Sequence, residues 1–221
     1  MTPTGAVALF AALFVGTHFL LSHPLRAPLA ARLGSKAFLG AYSAVAFATF
    51  VPMILARRAA GSQPWLWQPP EWTWAPAAIL MWLASILLVG SFVRNPAMES
   101  MGRSDVRIGR PAGVFRWTRH PMMWSFALWA AVHALVHPEP SALAIVVAVA
   151  VLALGGAAAQ DRRKEAQLGA RWAEWEQATS FVPFGRGLAF PGWPALLGGT
   201  LLFVVASWLH PLPVGLWQWL A

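Results

Sequence analysis

The sequence predicts an all-α integral membrane protein: a bundle of about six transmembrane helices plus a cytoplasmic amphipathic helix. Three observations predict it. The 221-residue chain is 58% hydrophobic and 11% charged, against about 25% charged in soluble domains. Its apolar residues gather into six long runs, and its basic residues gather between alternate runs. Fourteen tryptophans complete the pattern. Trp65, Trp67, Trp72, Trp74, Trp193, Trp217 and Trp219 lie near run ends, where an indole can bury its ring and keep its N–H wet.

The runs fall at roughly 4–23, 36–56, 75–93, 120–137, 141–160 and 194–210. Each matches the about 20 residues that a helix needs to cross a hydrocarbon core. Continuous apolarity without strict alternation favours helices over barrel strands. The first run has neither a basic segment before it nor a small-residue cleavage site after it, and reads as a retained span.

Fourteen of the sixteen Lys and Arg fall in the first, third and fifth connections: Arg26, Arg32, Lys36, Arg94, Arg103, Arg107, Arg110, Arg116, Arg119, Arg162, Arg163, Lys164, Arg171 and Arg186. Arg57 and Arg58 stand opposite. The positive-inside rule places those three connections in the cytoplasm and both termini outside. In a bacterial cell this is a multi-pass inner-membrane protein with periplasmic termini. The formal charge of +8 thus reports topology, not a nucleic-acid partner. Residues 161–178, with Leu168, Trp172 and Trp175 at helical spacing, read as the amphipathic helix. The Pro- and Trp-rich loop 62–73 is expected at the outer surface. Pro211 and Pro213 are expected to break the last helix and leave 214–220 as an interfacial turn. No repeat, linker or second domain interrupts residues 1–221.

All eight carboxylates (Glu71, Glu99, Asp105, Glu139, Asp161, Glu165, Glu174, Glu176) lie outside the apolar runs. That disfavours an ion-coupled transporter and a di-iron bundle. The absence of cysteine excludes disulfides, iron–sulfur clusters, thiolate zinc sites and thioether-linked haem, so any haem is of the non-covalent b type. Histidine remains. His18 lies within the first run, with His23 at its end. His120 opens the fourth run, which also holds His133 and His137, and His210 closes the sixth. A neutral imidazole in hydrocarbon needs a partner or a metal. His133 and His137 share a face with Trp129, Phe126 and Met122, which suits either a haem groove or ordinary helix packing. The residues alone leave both readings open.

Two stretches carry a resemblance. One is Thr17-His18-Phe19-Leu20-Leu21-Ser22-His23-Pro24-Leu25-Arg26. The other is Gly113-Val114-Phe115-Arg116-Trp117-Thr118-Arg119-His120-Pro121-Met122-Met123-Trp124, leading into Trp129 and His133. With Asp161-Arg162-Arg163-Lys164 and Thr179-Ser180-Phe181-Val182-Pro183-Phe184, they resemble the NnrU family of bacterial membrane proteins over about residues 5–190. That family is similar to the plant 15-cis-zeta-carotene isomerase, a haem b membrane enzyme. The resemblance implies haem b held by His18 and His133 as metal ligands. Arg119 and His120 are further cofactor-binding candidates, with Arg119 or another loop arginine pairing with propionates. It also implies a link to denitrification or to carotenoid isomerisation, and so a respiratory redox partner or an apolar isoprenoid-type substrate besides the lipid bilayer. Ala130 stands where the plant enzyme has a cysteine, so a thiol ligand switch is absent.

Arg119-His120-Pro121-Met122-Met123-Trp124-Ser125, with Glu165 to Trp172, Trp175 and Pro183, is also similar to S-adenosylmethionine-dependent membrane methyltransferases. Met123 and Ser125 replace the Tyr and Gly of that pattern. Span midpoints near residues 13 and 128 put His18 and His133 about 14 Å apart in depth, near the limit for one iron. Tilted or offset spans would close that gap. His133 with His137 or His210, or His18 with His120, are the substitute pairs. A non-enzymatic assembly or regulatory factor is the third expectation.

Overall fold

The computed structural model describes residues 1–99, 108–210, Val214 and Trp217. Helices make up its regular structure, and no strand occurs among the described residues. Four helical segments are long and apolar enough to cross a membrane: α1 (Pro3–Ser22), α3 (Ser35–Ala60), α4 (Trp74–Gly90, extended by a 3-10 turn at Glu71–Thr73) and α7 (Pro140–Leu168). The fourth and sixth runs form shorter apolar helices, α6 (Pro121–Val136) and α9 (Trp193–Trp208). The remaining helices are α2 (Arg26–Leu33), α5 (Pro96–Glu99) and α8 (Ala170–Ala178). The result is a multi-pass membrane protein.

Two elements depart from expectation. A short helix, α2, occupies the first connection. The segment 161–178 is not one helix: α7 continues through Asp161 to Leu168, and Gly169 at φ 57° turns the chain into α8. The charges after residue 160 keep good helix propensity, so polarity ends the apolar stretch without ending the helix. The expected break at Pro211 and Pro213, the 214–220 turn apart from Val214 and Trp217, and Arg103, Asp105 and Arg107 lie outside the described residues.

The chain forms two compact units, residues 1–69 with 133–156 and residues 70–132 with 157–221. Neither is continuous, so no sequence boundary divides them. In the first unit, Val7 and Ala11 of α1 meet Met53 of α3 and Ala148 of α7 in a small buried core. Thr2 caps α1 by accepting from the Gly5 N–H at 3.1 Å. Leu9, Leu13, Leu20, Phe47, Phe50 and Leu55 stay exposed on α1 and α3, as lipid-facing residues should. The loop before residue 70 is pinned by the Trp67 indole donating to the Leu135 carbonyl at 3.0 Å. Gln63 also donates to Thr4 and accepts from the Ser141 N–H.

In the second unit α4 packs on α9. A Cβ added at Gly199 would lie 2.5 Å from the Ile86 Cα, so only glycine permits this approach of backbones. Trp82 donates to Thr200 at 2.9 Å across the same interface. Ile86, Leu87, Val114, Phe115, Trp117, Leu168, Trp172, Trp175 and Ala195 form the larger core.

Candidate functional site

In the second unit, the motif that opens α6 is locked to the segment after α8. Buried Thr118 donates to the Phe181 carbonyl at 2.7 Å, and the Trp124 indole donates to the same oxygen at 2.7 Å. The Arg119 N–H reaches Ser180 O at 2.8 Å, and the Phe184 N–H reaches Trp117 O at 2.8 Å. Two of the motifs quoted above are thus one structure, with backbone donors and carbonyls of each satisfied by the other.

That framework presents Arg119 and His120 to the polar end of α7. Arg119 donates from Nε to Oδ2 of Asp161 at 2.9 Å, and its Nη2 pairs with the same oxygen at 2.8 Å. Its Nη2 also lies 3.5 Å from Glu176 Oε1 on α8. The His120 side chain is fully buried, with Nδ1 3.2 Å from Gln160 Oε1 and Nε2 2.9 Å from Asp161 Oδ1. The second approach is close but not aligned as a hydrogen bond, so it acts through charge more than direction. Both ring nitrogens face oxygens, an arrangement that a doubly protonated ring satisfies. A neutral ring needs the Gln160 amide turned to offer its NH2. The Phe181 ring completes the site, edge-on to His120 at 5.0 Å and under the Arg119 guanidinium at 5.4 Å. Burial, then the nearby Asp161 carboxylate, raise the Glu176 carboxyl above its ordinary value.

This cluster can hold a proton and fix the junction of α6, α7 and α8. Its carboxylates already neutralise Arg119. Sequence reasoning singled out Arg119 and His120 but not Asp161, Gln160 or Glu176. Asp161 appeared only as a motif residue, because a separation of forty-two positions carries no signal of contact.

His18 and His133 both belong to the first unit. His18 is half-buried on α1, with Nδ1 3.0 Å from the Phe14 carbonyl one turn back. Its ring stacks at a tilt on Phe14 at 4.3 Å and meets Tyr42 edge-on at 5.3 Å. A hydrogen on Nδ1 donated to that carbonyl leaves the Nε2 lone pair as the ligating atom, the usual way a protein orients a metal-binding imidazole. His133 is half-buried on α6 and has a partner of its own. His137 stacks edge-on with Trp65 at 5.7 Å and lies 3.8 Å from Glu139. His23, read from sequence as a helix-end residue, bonds through Nδ1 to Ser22 Oγ at 2.7 Å, while its buried Nε2 has no partner among the described residues. His210 is exposed and partnered. No group of three or more His, Cys, Asp or Glu able to hold a metal ion occurs among the described residues; a two-histidine haem site needs no such group.

A family model described as NnrU protein matches residues 6–218. No curated protein and no solved structure matches the chain. The match begins in the first turns of α1 and runs past the end of α9, taking in both histidine-bearing helices and the Arg119–Asp161 cluster. The chain therefore belongs to the NnrU family.

Proposed function

We propose that this NnrU-family protein binds haem b within the membrane, with His18 as one axial ligand and His133 as the other. The observation that carries the reading is the His18 imidazole. Its Nδ1 is held by the Phe14 carbonyl at 3.0 Å, and the described residues offer its Nε2 no hydrogen bond. Phe14 and Tyr42 supply the flat aromatic surroundings that a porphyrin plane fills. A haem bound there would supply one-electron or Lewis-acid chemistry. The chain's part is to orient the imidazole, to exclude water with Phe14 and Tyr42, and to present an apolar approach from the bilayer.

Such a protein serves redox or isomerase chemistry. Its partners would be a respiratory redox protein of nitrogen-oxide reduction, in line with the denitrification link of the family, or an apolar isoprenoid-type molecule entering from lipid. We place it in a bacterial inner membrane with the three basic connections in the cytoplasm. Arg119 is not assigned to propionates, since Asp161 and Glu176 already engage it.

The test is an absorption spectrum of protein purified after expression with ample haem supply. A Soret band that shifts on reduction, and is lost or altered in His18→Ala, is the expected result. A featureless spectrum from folded protein refutes the haem reading. A spectrum indifferent to His18→Ala and His133→Ala refutes the ligand assignment.

A further inference from the structure

Helix α2 and its N-cap residue Leu25 carry a pattern that the haem reading does not use. Leu25, Leu29 and Leu33 recur every four residues, so at about 100° per residue they share one stripe. Arg26 and Arg32 fall on the two edges of that stripe, and Ala27, Pro28, Ala30 and Ala31 fill the rest of the surface. Leu25 and Leu33 are exposed at 36% and 51%, so the stripe is not consumed by packing within the protein. Arg26 lies with its guanidinium 5.4 Å over the buried Phe38 ring, which fixes the helix against the start of α3. Arg32 and Lys36 are exposed, and no carboxylate among the described residues pairs with them. The first acidic residue of the chain is Glu71.

The segment joins the end of one spanning helix to the start of the next, so it lies at the level where acyl chains give way to headgroups. A leucine stripe flanked by arginines is built for that boundary: the apolar side chains enter the upper acyl region while the guanidiniums stay at phosphate height. We infer that α2 is an interfacial helix that binds anionic phospholipid, with Arg26, Arg32 and Lys36 on the headgroup phosphates. Charge complementarity selects the lipid class, since three cations without a local carboxylate gain little from a zwitterionic surface.

Native mass spectrometry of the full chain in detergent, titrated separately with phosphatidylglycerol, phosphatidylcholine and inorganic phosphate, tests this. The wild type should retain phosphatidylglycerol in preference to phosphatidylcholine, and R26Q/R32Q/K36Q should weaken that binding by about tenfold or more. R32Q/K36Q alters only exposed side chains and should weaken it with the fold intact, whereas R162Q should leave it near wild type. The effect should shrink as salt is raised. Equal retention of both lipids, binding indifferent to R32Q/K36Q, or inorganic phosphate occupying the site as readily as the lipid would each overturn the inference.

Discussion

Arg119 directs two guanidinium nitrogens to a single oxygen of Asp161, Oδ2, and leaves the other oxygen facing His120. One carboxylate therefore holds two cationic or ionisable neighbours that adjoin in sequence, and does so from a helix forty-two residues away. Asp161→Asn keeps the shape but removes the charge that both neighbours face. With side chains only 12–13% exposed, the loss should be on the order of 2–4 kcal/mol, the scale of breaking a mostly buried pair. Thermal unfolding in detergent should show a clearly lowered midpoint; a change within error would mean that the cluster contributes no stability.

Glu176 gives the same cluster a pH dependence. Its carboxyl titrates above its ordinary value of 4.5 because burial, then Asp161, disfavour its charge. The folded state thus holds the proton more tightly than the unfolded chain. The stabilisation is present at low pH and fades as pH rises above that ordinary value through the raised one. Glu176→Gln should flatten the stability profile across that window. A profile that stays parallel to wild type would remove Glu176 from the pH response.

Arg57 and Glu139 pair in the first unit at 2.5 Å, with side chains 24% and 6% exposed. The asymmetry makes the two removals unequal. Without Glu139, the arginine can still reach water and the Gly61 carbonyl that it already bonds. Without Arg57, a buried carboxylate is left with only the more distant His137 nearby. Arg57→Gln should therefore destabilise the protein more than Glu139→Gln does, by about 1–2 kcal/mol, and lower the unfolding midpoint further; the reverse order would contradict this account.

Two glycines separate backbone from side-chain crowding. A Cβ at Gly199 would meet Ile86 backbone at 2.5 Å, whereas at Gly155 it would meet only the tip of the Phe19 ring at 2.8 Å. Gly199→Ala should cost on the order of 1–3 kcal/mol, while the turnable ring limits the cost of Gly155→Ala. Equal melting temperatures for the two variants would argue that α4 and α9 can separate freely.

Much of the fold was legible because apolar run length and span length obey the same physical requirement. The expected spans at 4–23 and 36–56 appear as Pro3–Ser22 and Ser35–Ala60. The sequence predicted six spans; four helices reach full spanning length, since proline at residues 121 and 194 and the ends of the apolar runs keep α6 and α9 short. Helix α2 has no clear signal in the sequence, because two leucines in its eight residues, with Leu25 before them, make a stripe too brief to stand out. His18 and Arg119 could be picked out from motifs. Asp161, Gln160 and Glu176 could not, because their roles arise from helices meeting, and no local pattern encodes that meeting.

The discontinuity of the first unit bears on how the protein is made. Met53 is complete about ninety-five residues before its core neighbour Ala148 leaves the ribosome. At about 5–20 residues per second, that interval lasts about 5–20 s. For that time the surface of α1 and α3 that Val7, Ala11 and Met53 present to Ala148 waits without α7. Biogenesis of this protein thus has a built-in waiting period, one that stalled or truncated synthesis would prolong indefinitely.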